Sequence, residues 1–463
     1  MLVPFRGRVA GYMAIAQRQS SKRRCSTAAN CVHDKMARRI QARRLEGVDK
    51  NIWVEFVSLA AQYKTVNLGQ GFPDFSPPSY ATEAFSKAIT DEHSLLNQYT
   101  RAFGHPPLVK ALAQMFGPLF GQELNPLTNV LVSVGAYGAL FCAFQALVDE
   151  GDEVIIIEPF FDCYEPMTLM AGGQCVYVPL RPKPADDGRP PSSNDWRLDL
   201  AELEAKITKK TKVLVLNTPN NPLGKVFDKE ELEEISHICV KHDLLCISDE
   251  VYEWLVYDGK QHVRIASLPG MWDRTITVGS AGKTFSATGW KVGWAFGPDC
   301  LLKHLRVVHQ NSVYHCATGA QEAVAQGFQK ELERLGQPDC YFVQLRDELQ
   351  KKRDWLYHCL TEVGMKPMMS QGSYFMIADI SRFKSEVPPP TDDNIPYDNY
   401  FTKWMMKHKQ LASIPVSAFY STPHKKQFEN YIRFCFVKED ATLKAAEKIL
   451  KKWSSESTGP KAQ

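Results

Sequence analysis

From Asn129 to Gly297, short runs of β-branched and other apolar residues bounded by Gly, Pro and Asp alternate with amphipathic stretches of helix length. That alternation predicts an α/β fold. Strands are expected at Val130 to Val134, Val154 to Ile157, Val213 to Leu216, Leu245 to Ser248 and Thr275 to Val278, with a helix over Ala136 to Val148. The strand segments lack the polar and apolar alternation of a half-exposed sheet, so the sheet should be covered on both faces. After about Phe328 the rhythm changes. A long charged helix near Tyr341 to Val363 leads to the segment Ser373 to Ile380, a Pro-rich loop at Pro388 to Pro390 and a helix near Tyr400 to Lys407. The strand Tyr431 to Val437 and a last helix ending near Trp453 follow, as expected of a second, smaller α+β lobe. The Pro-, Gly- and Asp-rich stretch Pro182 to Asn194 reads as a surface loop.

A chain of 463 residues is long enough for two lobes around a large core. The 55 basic and 52 acidic residues leave a net charge of +3. With no long run of one sign, neither nucleic acid nor an anionic membrane is expected as the main partner. No apolar stretch reaches the ~18–20 residues that a membrane helix needs. The 12 cysteines show no CxxC pairing or metal-type His spacing, so reduced buried thiols are expected, with no zinc site and no disulfide framework. Before Asp34 there is no acidic residue, while Arg6, Arg8, Arg18, Lys22, Arg23 and Arg24 alternate with Ser and small apolar residues. This is the composition of a mitochondrial transit peptide, with a basic tail of a cytoplasmic protein as the alternative.

The segment Ser280-Ala281-Gly282-Lys283-Thr284-Phe285 directly follows a predicted strand and precedes Gly289-Trp290-Lys291. A lysine there lies where α/β sheets place ligands. Two other motifs share its letters. Gly282-Lys283-Thr284 ends like a phosphate-binding loop, but Thr277 stands where that loop needs glycine. Ser280 to Lys283 spells the S-x-x-K of penicillin-binding enzymes, but its S-D-N and K-T-G partners are missing. The runs Asn217-Thr218-Pro219-Asn220-Asn221-Pro222-Leu223-Gly224 and Ser248-Asp249-Glu250-Val251-Tyr252 each follow a strand end. Singly they read as a turn and a helix cap.

Taken in order with Lys283 and Tyr431-Ile432-Arg433-Phe434, the set resembles the class I aminotransferases. The runs Asn67 to Phe75, Leu96 to Thr100, Glu158 to Tyr164 and His309 to Val313 narrow the resemblance to the kynurenine aminotransferases, also called glutamine transaminase K or cysteine-S-conjugate β-lyases. It covers about Gln41 to Trp453. The basic leader and Tyr314, where the type I enzyme has phenylalanine, resemble the type III branch of that family.

The resemblance implies a fold-type-I pyridoxal-phosphate enzyme. Its mixed, mostly parallel sheet would be sandwiched by helices in a large domain, beside a smaller α+β domain. The implied domains are a basic leader over 1–33, an arm and part of the small domain over 34–78, the large domain over 79–340 and the small domain over 341–463. The implied activity is transfer of an amino group from L-kynurenine, or another aromatic, sulfur-containing or amide amino acid, to a 2-oxo acid. Kynurenate would be the product from kynurenine, and β-lyase activity a side reaction. A broad transaminase for glutamine, methionine and phenylalanine, with kynurenine as minor donor, is the alternative. A phosphate-binding NTPase or a catalytically dead binding protein would need, respectively, the missing glycine or a broken site.

The same resemblance assigns roles. Lys283 would carry the cofactor aldehyde and move the Cα proton, a task that needs an amine neutral near pH 7. Asp249 would hold the ring nitrogen protonated so that the ring draws electrons. Asn221 and Tyr252 would donate to the phenolic oxygen, and Phe161 would stack on the ring. The phosphate would sit on the turn Gly135-Ala136-Tyr137-Gly138, with Ser280, Lys291 and, from a partner subunit, Tyr99. Arg433 would bind the substrate carboxylate through two parallel hydrogen bonds, helped by Asn221 and the Gly71 backbone. Trp53, Tyr137 and Tyr374, with Tyr314 and His315 from the partner, would set side-chain preference. A homodimer with shared sites follows.

Overall fold

The computed structural model of the chain describes residues 41–48, 52–92, 95–183 and 188–458. The expected leader over 1–33 lies outside the described residues. By contacts, residues Met1–Gly47 form one unit and Val48–Gln463 another. The second unit carries all the chemistry discussed below.

Its main sheet has seven strands: β1 (Val130–Val134), β2 (Glu153–Glu158), β3 (Gln174–Pro179), β4 (Thr211–Asn217), β5 (Leu245–Asp249), β6 (Thr275–Ser280) and β7 (Val292–Phe296). Their spatial order is β1-β7-β6-β5-β4-β2-β3. Only β7 runs antiparallel to its neighbours. Each strand the sequence predicts is present, usually longer by a residue or two. β3 and β7 were not expected from the pattern. β7 follows Lys291 so closely that its short apolar run reads as part of the motif rather than as a strand.

Successive side chains point to opposite faces, and both faces are buried. Ile155 and Ile157 enter one apolar cluster, Val154 and Ile156 another, all 6% exposed or less. Burial on two sides explains why these strands read as unbroken apolar runs. Helices α1 (Ile52–Gln62), α2 (Pro106–Phe120), α3 (Gly135–Leu147), α4 (Tyr164–Met170) and α5 (Lys229–Lys241) precede α6 (Ala281–Thr284), α7 (Asp299–Ser312) and α8 (Thr318–Glu333). Helices α3 and α7 cover the Leu131 face of β1, and α2 and α8 the Val130 and Val132 face. Helix α5 starts where the sequence says it must: the Asp228 carboxylate accepts from the Glu231 N–H at 2.8 Å, and Glu231 accepts in return from the Asp228 N–H at 3.1 Å.

A second sheet, all antiparallel, has the order β8-β9-β11-β10, with β8 (Lys366–Pro367), β9 (Phe375–Asp379), β10 (Ile414–Pro415) and β11 (Tyr431–Cys435). Helices α9 (Tyr341–Glu362), α10 (Tyr397–Lys409) and α11 (Asp440–Thr458) accompany it, and Leu349, Leu356, Phe401 and Leu450 belong to its apolar core. Residues Val66–Asn67 pair in parallel with Leu411–Ala412, which leads the chain through Gly69 and Gly71 past β11.

Pro182 to Asn194 is not wholly a surface loop. Arg181–Pro182 pairs with Trp196–Arg197, and Ser193 is buried, its hydroxyl donating to the Gly224 carbonyl. Residues 184–187 lie outside the described residues. The ten described cysteines are free. All eight buried ones lie in the apolar clusters, but Cys300 is exposed and Cys175 only partly buried, a correction to the expectation of uniformly buried thiols.

Candidate active site

Because six of the seven strands run one way, the carboxyl ends of β1, β4, β5 and β6 share one edge, and the motifs that follow them converge there. They enclose a cavity of about 390 Å³. Of the residues expected from the sequence, Trp53, Gly71, Ala136, Tyr137, Phe161, Asn221, Asp249, Tyr252, Ser280, Lys283, Lys291 and Arg433 line it.

Lys283 sits in α6, immediately beyond β6, and its Nζ donates to the Tyr374 hydroxyl at 2.7 Å. That hydroxyl donates in turn to the Gly71 carbonyl at 2.9 Å. Desolvation brings the Lys283 ammonium down to about 8, so a useful fraction is neutral at physiological pH. Tyr374, expected to help set side-chain preference, is not among the residues that line the cavity. It is 1% exposed, its hydroxyl is committed to Lys283 and Gly71, and it orients the amine rather than walling the cavity.

Asp249 ends β5 and is buried; burial raises its carboxyl to about 6. Its Oδ2 accepts from the Tyr164 hydroxyl at 2.6 Å. Asn217 and Tyr252 flank it, and the Asn217 side chain donates to the Asp249 carbonyl at 3.0 Å. Phe161 meets Tyr137 edge to face at 5.8 Å between ring centres.

At the amino end of α3 no side chain caps the first turn, so its N–H groups face the cavity unpaired by side chains. Gly135 there has φ +66°, a conformation costly for other residues. Lys291 Nζ comes within 3.2 Å of where a Gly135 Cβ would be, and Lys291 has no carboxylate partner among the described residues. Ser280 lines the same corner. An uncapped helix start, a hydroxyl and an unpaired ammonium are the donor set of a phosphate site. Beside it, a carboxylate, an aromatic face and an amine fit a flat, cationic, phosphorylated aldehyde. Gly293 on β7 completes the corner from behind, since a Cβ there would lie 2.4 Å from the Ala136 nitrogen. Gly293→Ala is accordingly expected to lower stability by ~1–3 kcal/mol and to weaken phosphate binding in the same step, read as a fall in denaturation midpoint and in affinity for inorganic phosphate.

Arg433 on β11 is 1% exposed and makes no ion pair among the described residues. One terminal nitrogen donates to Asn221 Oδ1 at 2.7 Å and the other to the Gly69 carbonyl at 2.8 Å, while Nε has no partner. Phe375, Phe419 and Trp53 stack around it at 4.0, 4.9 and 5.4 Å. Desolvation lowers it to about 10. Asp162 is near enough to act on it but makes no ion pair with it; a buried guanidinium without an ion pair is costly, and an anion entering the cavity relieves that cost. Gly71 has its carbonyl turned to Lys283. A Cβ at Gly71 would come 2.5 Å from the Phe375 ring.

Tyr99, Tyr314 and His315 lie outside this cavity. They form an edge-to-face aromatic group with Tyr99 83% and Tyr314 49% exposed. The sequence reading gave no role to Tyr164, Asn217 or Asp162, whose Oδ2 accepts from Trp53 Nε1 at 2.5 Å. Tyr164 and Asn217 stand inside the motifs that read as significant, so the signal was present without an assignment. No group of His, Cys, Asp and Glu among the described residues could hold a metal ion.

Residues 63–449 match the family model "Aminotransferase class I and II". The chain belongs to the class I and II aminotransferases. It is 64% identical to kynurenine--oxoglutarate transaminase 1 of Rattus norvegicus over 90% of this chain and 99% of that protein. It is 56% identical to kynurenine--oxoglutarate transaminase 3 of Bos taurus over 90% of this chain and 91% of that one. Among solved structures, Bna3p of Saccharomyces cerevisiae superposes with a TM-score of 0.83 at 35% identity, covering 90% of this chain and all of that one. YbdL of Escherichia coli, a methionine aminotransferase, superposes at 0.77 with 32% identity over 90% of this aminotransferase and 100% of its own length.

Proposed function

We propose that this aminotransferase uses pyridoxal 5′-phosphate to move the amino group of L-kynurenine, and of other aromatic, sulfur-containing or amide amino acids, to a 2-oxo acid. The observation that carries the reading is Arg433, a buried and unpaired guanidinium lining the same cavity as a lysine brought down to about 8. One recognises an α-carboxylate, and the other has a neutral fraction able to work at the adjacent α-carbon.

Pyridoxal phosphate, when bound, supplies an aldehyde carbon that carries the amino group and a pyridinium ring that takes up the electron pair left at Cα. The protein does the rest. Lys283 Nζ, held by the Tyr374 hydroxyl, would be the amine that carries the cofactor aldehyde and, when free, the base that takes the proton from the substrate Cα. Asp249 would keep the ring nitrogen protonated, and Asn221 and Tyr252 would donate to the phenolic oxygen. Ser280, Lys291 and the α3 start would hold the phosphate. Arg433 fixes the substrate carboxylate, so that the Cα–H bond is presented to Lys283.

Kynurenine as donor is supported by the kynurenine transaminases that the chain resembles at 64% and 56% identity, and by the Trp53, Tyr137 and Phe161 rings that wall the cavity. Kynurenate would then form by ring closure of the deaminated product. Donors with a good leaving group at Cβ, such as cysteine S-conjugates, should expel it as a thiol after Cα deprotonation, and hydrolysis of the remaining enamine by water would give pyruvate and ammonia. We further propose a homodimer in which Tyr99 reaches the partner's phosphate and Tyr314 and His315 the partner's substrate pocket. Support comes from the exposure of Tyr99 and Tyr314, large rings otherwise left in water. The likeness to a methionine aminotransferase favours a second reading, a broad transaminase for methionine, glutamine and phenylalanine with kynurenine as minor donor.

A donor and acceptor screen of purified protein decides between the two. Kynurenate formation with a kcat/KM for kynurenine within about tenfold of the best donor supports the first reading, because an apolar pocket separates similar side chains by only ~1–3 kcal/mol. A deficit for kynurenine beyond about a hundredfold replaces it by the second.

A further inference from the structure

Buried tyrosines usually meet backbone carbonyls or water, and a neutral hydroxyl aimed at a carboxylate inside the protein is a more specific arrangement. The Tyr164 hydroxyl is such a case. It reaches Asp249 Oδ2 at 2.6 Å, and both residues are buried, at 1% and 4% exposure. Oδ1 is left with a long 3.4 Å contact from the Val251 N–H. Asp249 lines the cavity, and its two oxygens are differentiated: Oδ2 accepts the short Tyr164 hydrogen bond, while Oδ1 has only the long Val251 contact.

Tyr164 is itself fixed. Its ring stacks on Phe144 of α3 at 6.4 Å and 26°, and meets Phe161 edge to face at 6.3 Å. The ring that would lie on the cofactor face and the hydroxyl that holds the cofactor's carboxylate therefore come from one short segment, three residues apart. Sequence spacing alone ties the two contacts together.

We infer that Tyr164 is a positioning residue for the cofactor: through its hydroxyl it holds Asp249 ionised and in the rotamer that meets the ring nitrogen. This deepens the reading of the site as a pyridoxal-phosphate centre and rests on it. A carboxylate buried without a donor protonates more readily, and one without a fixed rotamer meets the ring nitrogen only part of the time. The other groups that act on Asp249 are Lys283 from α6, Glu250 and Tyr252 that follow it in the chain, and Cys163 beside Tyr164. Of these, Lys283 favours the charged carboxylate and Glu250 opposes it. Tyr164 is the side chain that hydrogen-bonds it.

The test is the pH dependence of cofactor affinity in the full-length apoenzyme, measured by protein fluorescence quenching with pyridoxal phosphate between pH 5 and 9. Wild type, Tyr164→Phe, Asp249→Asn and the double variant are compared. Phenylalanine keeps the packing against Phe144 and Phe161 and removes only the donor. Affinity requires the charged carboxylate, so it should fall as pH drops through the Asp249 titration. Loss of one hydrogen bond to the charged form should move that midpoint up by about one unit, a tenfold change in proton affinity. The phosphate and lysine titrations occur in both proteins and cancel in the difference. Adding Tyr164→Phe to Asp249→Asn should change the profile no further. An unchanged midpoint in Tyr164→Phe, or the same shift in both backgrounds, overturns the inference while leaving the pyridoxal reading intact. Absence of any visible Lys283-bound chromophore in wild type would overturn that reading, and the inference with it.

Discussion

Lys283→Ala is expected to yield a folded protein that never acquires the visible absorbance of a lysine-bound pyridoxal phosphate and whose turnover falls by on the order of 10⁴-fold or more. The loss expected is large because the proposed mechanism gives one amine two duties, the covalent link and the proton transfer, and among the described residues no other lysine is in position to assume them. Lys291, which also lines the cavity, is at the phosphate corner, with its Nζ beside Gly135. The wild-type protein offers a companion measurement. A neutral amine is needed to attack the aldehyde, and desolvation brings Lys283 to about 8. Below that pH the amine is mostly charged and attachment is slow; above it the rate should level off. At pH 7 roughly one molecule in ten carries the neutral amine, against roughly one in three thousand for an ordinary lysine. Stopped-flow attachment of pyridoxal phosphate to apoenzyme reads the midpoint directly. A rate still climbing tenfold per unit between pH 9 and 10 would show that the cavity does not depress this lysine.

The second large effect is at Arg433. Truncation to alanine removes two charge-assisted hydrogen bonds to the substrate carboxylate, a loss of ~4 kcal/mol or about 10³-fold in kcat/KM. It should apply to amino acids and 2-oxo acids alike, since both carry that carboxylate. Arg433→Lys is expected to recover little, because a point ammonium cannot reproduce the planar fork and would lie unsupported between Asn221 Oδ1 and the Gly69 carbonyl. Cofactor absorbance should persist in both variants, which separates substrate recognition from cofactor binding. Stability should hold or rise in Arg433→Ala, since the buried charge makes no ion pair among the described residues and its removal ends a desolvation cost that outweighs its hydrogen bonds to Asn221 and Gly69. An unchanged KM and kcat for a simple amino acid such as phenylalanine would refute the carboxylate role.

How much of this was legible beforehand differs from residue to residue. Lys283, Asn221 and Asp249 follow strand ends that the apolar runs mark clearly, so their place at one sheet edge was a consequence of chain order. Helix α5 was not read from the apolar pattern, although its Asp228–Glu231 capping box is a local signal for its start. Strand β7 was hidden, because five residues after a functional turn carry no periodicity of their own. Tyr374 looked like one more aromatic wall. Nothing in Gly372-Ser373-Tyr374-Phe375 says that its hydroxyl bridges Lys283 and Gly71, which stand 91 and 303 residues away.

The chain by itself determined the class of fold and singled out Lys283, Asp249 and Arg433, because they stand in short segments that resemble those of the class I aminotransferases; the roles proposed for them rest on that resemblance. Tertiary structure decided what surrounds them. Burial without a counter-ion makes Arg433 hungry for an anion, desolvation makes Lys283 reactive, and a tyrosine 85 positions before Asp249 holds that carboxylate from behind. Solvation and long-range hydrogen bonding depend on which distant segments meet, and that is settled only when the two sheets and their helices close around the cavity.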